Sequence, residues 1–163
     1  MGAGKTTLGQ LVAMQAGLPF YDSDDEIEVR CGADISWIFD KEGEAGFRDR
    51  ESVMLEELLH KPRYLIATGG GAILRKNNRE LIQQNAFVIY LCVSVDRQLQ
   101  YLSMDTKRPL LQNVDRFKVL TELKEKRDPL YRSVSDVVFD IKGDDTKAIV
   151  AELSNLIQSS VNL

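Results

Sequence analysis

The chain has 163 residues, 44% hydrophobic and 28% charged, with a net charge of −4. That mixture suits one soluble domain with a sizeable core, and the acidic balance gives no broad nucleic-acid surface. Two cysteines, Cys31 and Cys92, exclude a disulfide framework, and neither a membrane-length apolar run nor a signal peptide is visible, so a cytoplasmic location is expected.

The first element is a phosphate loop. Met1-Gly2-Ala3-Gly4-Lys5-Thr6-Thr7 matches the later part of G-x-x-x-x-G-K-[ST], whose first Gly would precede Met1. In such a loop glycines let backbone N–H groups approach phosphate oxygens, Lys5 reaches the β/γ-phosphates, and the Thr6 hydroxyl can bind Mg²⁺. The helix predicted over Thr7–Ala16 adds its dipole.

A strand is predicted over Pro19–Asp22, then Ser23, then a helix over Asp24–Arg30. Asp22 and Asp24 beside a phosphate loop suit metal and base roles, weighed against Asp24 as a simple helix cap. A helix over Ala45–His60 carries Arg48 and Glu51 on one face, where Glu51 can lock the guanidinium for a ligand carboxylate. A solvated, ion-paired surface is the rival reading. Trp37, Phe39 and Phe47 are read as core or pocket wall, and His60 as a helix-end group.

The strand Tyr64–Thr68 runs into Gly69-Gly70-Gly71, a bare backbone edge where open α/β sheets place ligands. A helix over Asn77–Gln84, a strand over Phe87–Val93 and a helix over Asp96–Met104 follow. Ser103–Val114 is polar and reads as a flap whose Arg108 can close on phosphates. The remaining elements are a helix over Asp115–Lys126, ending before Arg127-Asp128-Pro129, a strand over Val137–Ile141 and a helix over Thr146–Ser159. Strand–helix alternation predicts a parallel α/β sheet.

Taken together, Gly2–Thr7, Tyr21–Asp24, Gly43-Glu44 with Phe47–Glu51, Ala67–Gly71, Arg108–Leu111 and Arg127–Tyr131 resemble shikimate kinase over nearly the whole chain. The resemblance implies a three-layer P-loop kinase fold as one domain over 1–163, with a substrate-binding region at about 24–60 and a lid at about 103–116. It implies ATP-dependent phosphorylation of the shikimate 3-hydroxyl by a monomer with no nucleic-acid or membrane partner. By the same resemblance Asp24, Lys5 and Arg108 are catalytic. Gly2, Ala3, Gly4, Lys5, Thr6, Thr7 and Arg108 hold ATP, and Thr6 and Asp22 hold Mg²⁺. Asp24, Arg48, Gly70 and Arg127 hold shikimate, with Glu51 orienting Arg48. Tyr101 stands where many members place an adenine-stacking arginine, and Asp144 and Asp145 make the adenine-side loop acidic. Another small-molecule P-loop kinase, such as a gluconate kinase, and a catalytically weak binding homologue are the alternatives.

The resemblance also implies a central strand ahead of the phosphate loop, for which the chain has no residues. The expectation is a recorded start that lies inside the natural sequence. Four missing buried aliphatic side chains would remove on the order of 6–12 kcal/mol, comparable with the total stability of a domain.

Overall fold

Four short apolar runs become strands, each delivering a polar or glycine-rich turn at its carboxyl end. The computed structural model describes residues 2–102 and 115–160. Arg108 and the predicted flap Ser103–Val114 lie outside the described residues. The order is α1 (Lys5–Ala16), β1 (Phe20–Asp22), α2 (Ser23–Cys31), α3 (Ile35–Leu59), β2 (Leu65–Ala67), α4 (Lys76–Asn85), β3 (Ile89–Cys92), α5 (Val95–Leu102), α6 (Arg116–Val134), β4 (Val137–Asp140) and α7 (Thr146–Ser160).

Pairing is parallel, as the alternation predicts. β1 pairs with β2 in the register Phe20–Leu65 to Asp22–Ala67, and β3 pairs with β4 from Ile89–Val137 to Cys92–Asp140. Among the described residues the two pairs are not hydrogen-bonded to each other. Between β2 and β3 lies an apolar slot of about 400 Å³, reaching Lys5 and Thr68 at its edge.

Side-chain alternation along the strands sorts the layers. Leu65 of β2 and Ile89 and Leu91 of β3 pack on one face against Leu8 and Val12 of α1 and Ile149 and Leu153 of α7. Ile66 points the other way, into the clusters that α3 builds with Met54 and Leu58 and with Leu55 and Leu59. One helical layer thus spans both strand pairs.

Two helices differ from expectation. α3 begins ten residues earlier than Ala45, at Ile35, capped by Asp34 accepting from the Trp37 N–H at 2.7 Å. It is broken at Gly43, whose φ of 71° only glycine adopts without strain. Trp37, on the first turn, is 51% exposed rather than core, whereas Phe47 is buried against Phe39 with centroids 4.8 Å apart. α6 continues past Lys126 through Pro129 to Val134. Proline removes one backbone donor, but the side chains on either side of it are anchored elsewhere, as described below.

Candidate active site

Gly4 caps α1 in the left-handed conformation, φ 69°, with no side-chain capping hydrogen bond and no acidic residue in the first turn. The amides there, with Lys5 opening the helix, form a cationic edge suited to phosphate. Gly2 also has a positive φ, 67°, and an added Cβ would lie 3.1 Å from the Gln98 carbonyl and the Leu102 side chain.

Thr6 ties this loop to the end of β1, its hydroxyl donating to Asp22 Oδ2 at 2.6 Å. The other oxygen of Asp22 accepts from the Asp24 N–H at 3.0 Å, so Asp22 caps α2. The cap reading for Asp24 is thereby corrected: Asp22 holds the N-cap position of α2 and Asp24 lies in its first turn. The donor set at Thr6 and Asp22, a hydroxyl beside a carboxylate, is the hard-oxygen type that suits Mg²⁺, a cation that keeps several waters and few protein ligands.

Ser23, fully buried, accepts from the Gly69 N–H at 2.9 Å and so fixes the glycine triplet against the start of α2. A Cβ on Gly69 would stand 2.4 Å from Asp24 Oδ1 and 2.8 Å from Glu51 Oε1. A Cβ on Gly71 would stand 2.2 Å from Arg48 Nη1. Both glycines are required by close approach of charged side chains to the backbone.

Arg48 and Glu51 form a buried pair, Nη1 to Oε2 at 2.7 Å, with exposures of 8% and 0%. The solvated-surface reading is therefore overturned for Arg48 and Glu51, while Asp49 and Arg50 beside them are exposed and ion-paired. Glu44 adds a second carboxylate at 3.2 Å, and the guanidinium lies 5.2 Å from the Phe47 ring centroid. Burial pushes the Glu51 carboxyl above the usual range, against the charge and hydrogen bond of Arg48 and the charges of Arg127 and Arg75. Arg127, also 8% exposed, donates from Nη1 to the Gly70 carbonyl at 2.9 Å. The structure thus gathers Asp24, Arg48, Glu51 and Arg127 around Gly69–Gly71, and links them to Thr6 through Asp22.

Sequence reading missed Ser23, Glu44, Tyr131 and the steric demand at Gly69 and Gly71. Ser23, Glu44 and Tyr131 lie inside motifs already singled out, Tyr21–Asp24, Gly43-Glu44 and Arg127–Tyr131, so membership of those motifs was the available signal. On the nucleotide-loop side, Arg97 pairs with Asp144 at 3.0 Å, donates to Tyr101 Oη at 2.9 Å and lies over its ring at 5.3 Å. Asp144 of that loop is therefore matched within the chain, and Asp145 accepts from the Lys147 and Ala148 N–H groups at the start of α7. His60 caps α3, with Nδ1 2.6 Å from the Glu56 carbonyl.

The family model described as Shikimate kinase matches residues 1–158. A shikimate kinase of Chromohalobacter salexigens is 48% identical over 94% of this chain and 85% of its own length. That of Pseudomonas syringae pv. tomato is also 48% identical, over 94% and 89%. The structure of the Acinetobacter baumannii shikimate kinase in complex with shikimate superimposes with a TM-score of 0.94 at 45% identity, covering 99% of this chain and 90% of that one. The Aquifex aeolicus enzyme gives 0.81 at 28% identity over 98% and 94%. The P-loop kinase fold read from the motifs is theirs as well, and with a phosphate loop, a glycine triplet and two buried arginines in that frame, this chain belongs to the shikimate kinase family.

Proposed function

We propose that the chain transfers the γ-phosphoryl group of ATP to the 3-hydroxyl of shikimate, giving 3-phosphoshikimate and ADP. The single observation that carries this reading is the convergence of Arg48, Arg127 and Asp24 on one glycine triplet beside the phosphate loop. A small polyhydroxylated acid needs that set: paired guanidiniums for its carboxylate, an acid–base group and a backbone edge for its hydroxyls.

In this reading Arg48, oriented by Glu51, and Arg127 grip the carboxylate, and Gly70 seats the ring. Asp24 accepts the hydroxyl proton as the oxygen attacks phosphorus and the bond to ADP breaks. Lys5, the amides of Gly2, Ala3, Gly4, Thr6 and Thr7, and Arg108 hold the phosphates. Thr6 directly, and Asp22 through water, would hold Mg²⁺, which when bound neutralises phosphate charge. Loose phosphoryl-transfer transition states need this positioning and neutralisation above all. Residues about 24–60 form the substrate region and about 103–116 the lid of a single domain. The enzyme works as a cytoplasmic monomer without nucleic-acid or membrane partners. Its net charge of −4 supports the first exclusion; among the described residues no helix is long and apolar enough to cross a membrane.

A coupled ADP-release assay with and without shikimate tests the reading, with the phosphate ester identified by phosphorus NMR. Shikimate-dependent ADP release is expected. Calorimetric binding of shikimate with no turnover would overturn the enzyme in favour of a binding homologue.

Gly71→Ala is expected to raise the shikimate KM by about tenfold or more, because the new methyl displaces the Arg48 guanidinium from its partner. Because Glu51 is then left buried without its partner, the melting temperature should fall as well; an unchanged KM would detach Arg48 from the substrate.

The raised Glu51 carboxyl gives a pH signature. Its protonation weakens the hold on Arg48, so shikimate KM should climb as pH falls through a range above the ordinary glutamate value of about 4.3. The stability sign is opposite. A folded-state pKa above the unfolded one contributes stability below the unfolded value and loses it as pH rises through the folded value. KM–pH profiles of the native chain and Glu51→Gln check this; an acid limb of equal size in both would assign it elsewhere.

A further inference from the structure

Three consecutive glycines carry no Cβ to restrict their backbone, so Gly69–Gly71 needs an outside restraint to present one geometry. The restraint comes from α6. The Gly70 carbonyl accepts two hydrogen bonds, from Tyr131 Oη at 2.6 Å and from Arg127 Nη1 at 2.9 Å. Residues 127 and 131 are one turn apart and so reach the same acceptor.

Tyr131 is itself held. Its ring stacks on Tyr90 of β3, centroids 4.8 Å apart and planes 18° off parallel. Tyr90 Oη donates to Asp128 at 2.8 Å, and Asp128 also accepts from Arg132 Nε at 2.6 Å. A chain of contacts therefore runs from β3 through α6 to the turn after β2, and links the two strand pairs at the substrate end. Burial pushes the Tyr131 hydroxyl pKa up, so it stays a proton donor at working pH.

We propose that Tyr131 is a positioning residue for both substrate arginines. It sets Arg127 by sharing its acceptor. It sets Arg48 through the Gly70–Gly71 peptide, which is planar: fixing the Gly70 carbonyl fixes the plane that leads into Gly71, over which the Arg48 guanidinium lies. This inference rests on the reading that Arg48, Gly70 and Arg127 hold the substrate.

Tyr131→Phe keeps the stacked ring and removes only the donor. The expected result is a rise of about tenfold in shikimate KM, with ATP KM and melting temperature nearly unchanged. Tyr90→Phe, which leaves Asp128 with Arg132 alone but keeps Gly70 bonded, should give a smaller rise in the same constant. Arg127→Ala provides the reference: adding Tyr131→Phe to it should still cost affinity through Arg48, but less than Tyr131→Phe costs alone, the non-additivity of residues acting through one acceptor. An unchanged shikimate KM in Tyr131→Phe, beside a large rise in Arg127→Ala, overturns the positioning role and leaves the site reading intact. A parallel rise in both KM values with a lowered melting temperature marks Tyr131 as structural and also overturns it. No rise in Arg127→Ala would remove the site reading, and this inference with it.

Discussion

Asp24→Asn is expected to lower kcat by about 10²–10⁴-fold, the usual contribution of a positioned acid–base group, while shikimate KM moves by less than about tenfold. The geometry makes this substitution unusually clean. Asp22, not Asp24, is the N-cap of α2, so the substitution leaves that helix cap in place. Asp24 Oδ1 and Glu51 Oε1 both crowd the same point beside Gly69, and a neutral amide there relieves two like charges and offers Glu51 a donor. The melting temperature should therefore hold or rise as turnover collapses. Steady-state kinetics with a thermal melt read both quantities. A loss in KM as large as the loss in kcat would reduce Asp24 to a substrate-binding group and leave proton transfer to another acceptor.

The parts of this site legible in the sequence were those whose chemistry is local. The phosphate loop, the Arg48–Glu51 face and the glycine triplet each announce themselves within a few residues, and four apolar runs marked the strands to within a residue or two. The unread parts are long-range or exceptions to local rules. Ser23 meets Gly69 across 46 positions and Tyr131 meets Gly70 across 61, and no periodicity reports such pairs. Pro129 signals a helix end, yet α6 runs on because Arg127, Asp128 and Tyr131 are anchored to Gly70 and Tyr90. Gly43 disguised the first part of α3, which forms around a cap at Asp34 and a glycine-specific break. Burial of Arg48 was equally unreadable, since the same charge run would suit a solvated helix.

A five-residue apolar strand joined ahead of Met1 is expected to stabilise the chain by on the order of 6–12 kcal/mol as an upper estimate, four buried aliphatic side chains at about 1.5–3 kcal/mol each. The slot between β2 and β3 supplies the reason. Leu65 and Ile66 line one wall, Ile89 and Leu91 the other, with Leu8 and Val12 of α1 along it, and all four strand residues are only half-buried. A parallel strand placed there would hydrogen-bond to both neighbours and merge two pairs into one five-stranded sheet, with its end feeding directly into the loop at Gly2. Urea midpoints and thermal melts of the 163-residue chain with and without the extension measure the gain. At about 2–4 °C per kcal/mol for a domain of this size, it should still amount to about 6–24 °C if half the area term is lost. A Gly/Ser extension of the same length is the control, and equal shifts from both would mean that the slot takes no strand. The gain should reach catalysis too, because Lys5 sits at the slot's edge: a strand holding the loop from behind restricts the amides that bind phosphate, so the ATP KM should fall in the apolar extension and stay constant in the control.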